Sequence, residues 1–283
     1  MISLNNGILE VKIDEFGAEL KSLKFNETEY LWDGKPEIWK NSAPIMFPIC
    51  GGLKENKYLL RGTEYNLSKH GFAKISMFEV ESVNDTSAVF LLKSNDKTKE
   101  SYPFDFEFRV IFTLEDKKLQ VEYRVDNKSD ELMYFNVGSH EAYATPEGIE
   151  DYDIIFDTEE TLSAHILYGN LLSKASFPMI KDSKTLPLYD KYFVYDAINF
   201  KDVKSDAATL RNRKNGRAIR IEFPDADYLV LWHKHGAGYI CIEPWNGIPD
   251  VEESSFNIEE KEGIKTLESG GTYIFSHSMT VIE

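Results

Sequence analysis

The chain has 283 residues, 42% of them hydrophobic and 28% charged, with a formal net charge of −16. This composition excludes a disordered chain, and the length suffices to bury about three quarters of the unfolded surface. The acidic balance argues against a nucleic-acid surface, an anionic membrane and a strongly anionic substrate, the last unless a local basic pocket overrides the field.

The first residues, Met1-Ile2-Ser3-Leu4-Asn5-Asn6-Gly7, contain no basic segment leading into an apolar run. No window approaches a membrane-spanning length, and a cytoplasmic location is expected. Ile8-Leu9-Glu10-Val11-Lys12-Ile13 predicts a strand, turned by Asp14-Glu15-Phe16-Gly17. Ala18 to Leu20 alternates and then slips phase before Phe25. Glu29-Tyr30-Leu31-Trp32 predicts a short strand closed by Asp33-Gly34, and Pro36-Glu37-Ile38-Trp39 one helical turn. Pro44-Ile45-Met46-Phe47-Pro48-Ile49-Cys50-Gly51-Gly52 is apolar between breakers. A hairpin is expected over 57–67, turning at Arg61-Gly62, with His70-Gly71-Phe72-Ala73 as a loop. Residues 78–83, 87–94, 104–114 and 118–127 alternate or carry β-branched and aromatic side chains, spaced by turn signals. The middle, about 160–215, has no such pattern and is expected to be irregular. Strands resume at 217–223, 228–232, 239–243 and 272–282. No repeat, linker or long amphipathic helix interrupts this, so the expectation is all-β: one antiparallel β-rich unit over 1–283 with few short helices.

The stretch Tyr239-Ile240-Cys241-Ile242-Glu243-Pro244-Trp245 organises the chemistry. Alternation puts Ile240 and Ile242 on one face and Tyr239, Cys241 and Glu243 on the other. A carboxylate at the end of an apolar strand is costly unless paired or raised in pKa, which is how a general base is tuned. The spacing equally allows a structural Glu bonded to backbone amides. His70, beside Gly71, and His140, after Gly138-Ser139 at a strand end, are candidate proton carriers or structural imidazoles. His233-Lys234-His235 has the spacing of half a zinc site, but no third ligand is evident; no metal is expected. Arg211, Arg213, Arg217 and Arg220 form a cluster better explained as a solvated turn than as a phosphate grip. Cys50 and Cys241 sit in apolar runs and are expected as buried thiols, not a disulfide framework. No nucleophile elbow, phosphate-cradling Gly-rich loop or paired-Cys motif is present.

Several segments together resemble the aldose 1-epimerase (galactose mutarotase) family, in its LacX-like branch. They are Gly17-Ala18-Glu19-Leu20-Lys21-Ser22-Leu23, Glu29-Tyr30-Leu31-Trp32, the Pro44 to Gly51 run, His70-Gly71-Phe72-Ala73, Asn136-Val137-Gly138-Ser139-His140, Asp196-Ala197-Ile198 and Cys241-Ile242-Glu243-Pro244-Trp245. The Lys261-Glu262-Gly263-Ile264 and 267–271 segments complete the order. The resemblance implies a large β-sandwich of the galactose-mutarotase type with a sugar cleft on one sheet, no cofactor and no metal. It implies Glu243 as general base, His140 as general acid, His70 near the ring oxygen and Asp196 on a substrate hydroxyl. Trp245 is a candidate apolar wall for the sugar, or a core ring. The chain departs from the family at Gly52, where relatives often carry Arg, with Lys54 as a possible substitute, and at Glu141, where relatives often carry Pro.

Mutarotation opens a cyclic hemiacetal and closes it on the other face, so two positioned proton carriers suffice. Reference pKa values of about 4.3 for Glu and about 6.5 for His predict a bell-shaped pH dependence belonging to the coupled pair. The expected ligand is a small-molecule sugar, with the protein a monomer or homodimer. The alternatives are a hexose-6-phosphate 1-epimerase, which would need basic groups converging on the cleft, and a sugar-binding or regulatory protein with little turnover.

Overall fold

The computed structural model describes residues 1–282. Antiparallel strands dominate, and the longest helical elements have four residues. No helix among the described residues is long and apolar enough to cross a membrane.

One large sheet carries most of the chain. In spatial order it runs Ala142–Ala144, Tyr239–Trp245, Tyr228–Trp232, Ile198–Lys201, Tyr152–Tyr168, Ala207–Asn212, Ala218–Glu222, Thr272–Ile282, Lys118–Asn127, Phe106–Glu115, Ser87–Lys93 and Glu79–Val83. A smaller four-stranded sheet holds the N-terminal strands from Ile2–Asn5 to Thr28–Glu29. The architecture is a β-sandwich: one apolar cluster joins Leu9, Val11 and Leu23 of the small sheet to Phe108, Val121, Ile154, Ile219 and Ile242 of the large one. Period-two alternation does this work. Phe106–Glu115 buries every second residue from Phe106 to Leu114, and Thr272–Ile282 turns Phe275, His277 and Met279 inward.

The phase slip after Leu20 is a β-bulge. Leu20 pairs with Ile13 and Ser22 with Lys12, so Lys21 is the extra residue. The expected hairpin forms as Lys57–Leu60 with Thr63–Asn66, turning on Arg61 and Gly62 with positive φ at both. Residues 36–39 form the expected single turn, the Trp39 N–H donating to the Lys35 carbonyl at 2.8 Å.

The middle of the chain differs from expectation. It contains two 17-residue strands, Tyr152–Tyr168 and Leu171–Pro187, paired as a long hairpin, and Ala207–Asn212 lies inside the polar segment 201–215. Four register irregularities between the two long strands break the alternation that a strand shows in sequence. Glu160 is fully buried there because its carboxylate accepts the Ser205 N–H (2.8 Å) and hydroxyl (2.7 Å).

Candidate active site

Glu243 lies on Tyr239–Trp245, between Ala142–Ala144 and Tyr228–Trp232. Ala142 pairs with Cys241, and Gly138 bridges Trp245. The same antiparallel register sets His140 directly across from Glu243. Their side chains meet, with Nδ1 of His140 3.3 Å from Oε1 of Glu243. Gly138 is needed for this approach, because a Cβ there would lie 2.9 Å from the Trp245 ring and 3.0 Å from Cys50 Sγ.

His70 arrives from a loop held against the Pro44 to Gly52 run. Its N–H donates to the Gly51 carbonyl at 2.8 Å, and the Gly51 N–H donates to His70 Nδ1 at 3.1 Å. An accepting Nδ1 leaves the proton of the neutral ring on Nε2. Gly71 follows with positive φ, and a Cβ there would overlap the Phe47 carbonyl, so only glycine lets the two segments touch. The two imidazoles are 5.7 Å apart between centroids.

These three side chains line a cleft of about 240 Å³, smaller than drug-sized pockets of roughly 300 Å³ and more. Asp196 and Trp245 line it as well, with Trp39, Trp232, Lys69 and Lys74. Asp196 is exposed at the mouth, with positive φ. Trp245 is only 3% exposed, and its indole N–H donates to the Ser139 carbonyl at 3.0 Å. The half-exposed walls are instead Trp39 and Trp232, whose rings lie 5.2 and 5.7 Å from His140. Lys54 does not line the cleft: its ammonium lies over the Phe256 ring at 4.8 Å and reaches the Ser254 carbonyl. At Gly52 a side chain would meet the Asn170 carbonyl at 2.7 Å and Asn170 Cβ at 2.8 Å. The tip of the long hairpin therefore occupies the space an arginine would need.

Burial disfavours charge on the whole cluster. It pushes Glu243 well above the usual carboxylate range, opposed by the Lys69 charge and the Trp245 N–H. It holds His140 down to about 3, with Lys69 and Lys74 adding to the effect. It also holds His70 well below the usual imidazole value, with His140, Lys74 and Lys69 contributing. The resting pair is thus a neutral imidazole facing a carboxyl group that resists ionisation, not the ion pair that reference pKa values give. Buried Glu243 Oε2 and His140 Nδ1 lack hydrogen-bond partners. Unpartnered polar atoms on side chains that line a cleft can bond a group that enters it. Among the described residues, ligand atoms of His140, Cys241 and Glu243 lie within 4.8 Å of one another, a spacing a metal ion could bridge.

The remaining candidates are occupied elsewhere. His233 bonds the Tyr239 carbonyl at 2.7 Å and Asp190 at 2.9 Å, and His235 meets the same Asp190. Arg213 pairs with Asp153, Arg220 with Asp157, and Arg217 stacks on Tyr30 at 4.4 Å. Both cysteines are buried and free. Sequence reasoning missed Trp39, Trp232, Lys69 and Lys74. The lysines flank His70 in sequence, which was the available signal.

Comparison with known proteins adds an independent line. The family model described as aldose 1-epimerase matches residues 1–279. The plasmid-encoded protein LacX of Lactococcus lactis subsp. lactis is 32% identical over 296 residues, covering 99% of each chain. A galactose mutarotase related enzyme from Lactobacillus acidophilus is 34% identical with a TM-score of 0.95, over 100% of this chain and 97% of that one. A galactose mutarotase-like protein from Lactobacillus casei ATCC 334 is 27% identical with a TM-score of 0.93, over the whole of both chains.

Proposed function

The chain belongs to the aldose 1-epimerase family, and on that premise we propose that it interconverts the α and β anomers of an aldose by acid–base ring opening and closure. The observation that carries this is the cross-strand pair Glu243–His140, at 3.3 Å, on the floor of an open cleft with His70 beside it. In the proposed cycle Glu243 takes the proton from the hydroxyl on C1 while His140 gives one to the ring oxygen, O5. The C1–O5 bond breaks, the aldehyde rotates about C1–C2, and O5 attacks the other face with the proton transfers reversed. His70 Nε2–H donates to O5 throughout and holds the ring in place. Trp39 and Trp232 offer flat apolar faces to the sugar's C–H surfaces, and Asp196 accepts from a hydroxyl at the mouth.

The test is polarimetry on freshly dissolved α-glucose and α-galactose. Glu243→Gln is expected to cut the enzymic rate by about 10²–10⁴-fold, the usual worth of a positioned general base. Equal rates for wild type and variant would reject Glu243. The second reading, a sugar-binding protein with little turnover, is favoured by the absence of an arginine at Gly52. Saturable sugar binding without any acceleration would select it.

A further inference from the structure

The cleft contains two cations that form no ion pair with a carboxylate among the described residues. Lys69 and Lys74 both line it, on either side of His70 in one loop, and both are half-buried. The Lys74 ammonium donates to the Lys69 carbonyl at 2.9 Å, and neither lysine is within ion-pair reach of an acidic side chain. Other lysines also lack ion pairs, but these two are half-buried and share one cleft. The buried Lys261, by contrast, is matched by Asp250 at 3.0 Å. Burial, with Lys69 next to it, pulls Lys74 down to about 8, the mark of a cation short of a counter-charge.

The position of the pair says which part of a sugar it faces, given the epimerase assignment on which this inference rests. With C1 at Glu243 and O5 between His140 and His70, C5 lies beyond O5, towards the loop that carries His70. The exocyclic C6 projects from C5. We propose that Lys69 and Lys74 form a subsite for an anionic group on C6, so that the preferred substrates are aldoses ending in a phosphate ester or a carboxylate. The lysines are the local basic pocket that allows an acidic protein to take an acidic sugar. An ammonium suits this role as a compact point charge with three donors, usable by phosphate or carboxylate oxygens alike.

The experiment compares anomer exchange by NMR for matched trios: glucose, glucose 6-phosphate and glucuronate, then galactose, galactose 6-phosphate and galacturonate. The enzymes are wild type and a double variant, Lys69→Met with Lys74→Met, which keeps the apolar stems; thermal melts check that it folds. In wild type, kcat/KM for at least one charged sugar should exceed that of its neutral parent by about ten-fold or more, as expected for charge-assisted hydrogen bonds. The ratio should fall towards one in the double variant. Because both sugars of a ratio use the same base, any effect of Lys69 on Glu243 cancels. The phosphate and carboxylate arms identify the group. Neutral parents that match or outrun both charged sugars in wild type, or a ratio that survives the double variant, would overturn the subsite and leave the epimerase reading standing. If no sugar is accelerated, the epimerase reading fails, and the subsite is judged by chemical-shift titration. Tighter binding of glucose 6-phosphate or glucuronate than of glucose, lost in the double variant, supports it; equal binding overturns it.

Discussion

At the scale of single residues, the site's behaviour follows from taking a carboxyl and an imidazole out of water together. Burial raises Glu243 and lowers His140 to about 3, so the pair keeps one proton between them across a wide pH range. The reactive arrangement, carboxylate with imidazolium, is a tautomer of that one-proton state. Activity should therefore fall as pH drops through the lower limit and a second proton binds. It should fall again as pH rises through the raised upper limit and the last proton leaves. The bell is expected to be wider on its acid side than reference values of about 4.3 and about 6.5 give. Lys69 lowers both groups, so Lys69→Met should move both limbs of the kcat/KM profile to higher pH. A flat profile, or limbs that Lys69→Met leaves in place, would contradict this account.

At the scale of elements, the contrast between what the sequence displayed and what it hid has a physical cause. Thr272–Ile282 was legible by its alternation and Tyr228–Trp232 as a short apolar run with three consecutive buried residues, both to the residue. Tyr152–Tyr168 was not, because bulges scramble its phase and because Glu160, which reads as polar loop, is buried to hold the Ser205 amide. Glu243, His140 and His70 were found through short motifs, but nothing local reveals that residues 140 and 243 face each other, since pairing between distant strands is fixed by the whole sheet. Lys54 was chosen by sequence proximity to Gly52, whereas the chain turns it out onto Phe256. The long hairpin also explains Gly52. Gly52→Arg must displace Asn170, so it should lower stability by about 1–3 kcal/mol and bring no gain in mutarotation. A melting temperature unchanged from wild type would mean that the hairpin tip yields freely.

Across the whole molecule, the second departure, Glu141, is a structural element of the core. Glu141 and His277 are each 2% exposed, and their carboxylate and imidazole meet at 2.9 Å, joining the middle of the chain, just before Ala142–Ala144, to the strand Thr272–Ile282. Burial pushes the Glu141 carboxyl up, but His277, with smaller help from the Ser139 hydroxyl and the backbone, offsets this and holds it below its ordinary value. Its contribution to stability is present above the unfolded carboxylate value of about 4.3 and is lost as pH falls through the lower folded value. His277→Leu should cost about 3–5 kcal/mol in urea unfolding at neutral pH, because it strands a buried charge, while adding Glu141→Leu should recover most of the loss. Equal stability of the single and double variants would show that the two groups do not act as a pair. Among the described residues the strand Leu171–Pro187 pairs with Tyr152–Tyr168 and with no other strand. Apart from Leu172, whose N–H donates to the Asp250 carbonyl at 2.7 Å, it leaves a long outer border, a template on which a foreign backbone would otherwise lay itself down. Pro178 and Pro187 offer no donors there, and Lys174, Lys181 and Lys184 line the strand with charge. The polarity that disguised this strand is thus the kind of feature that discourages neighbouring copies from fusing edge to edge into fibrous stacks.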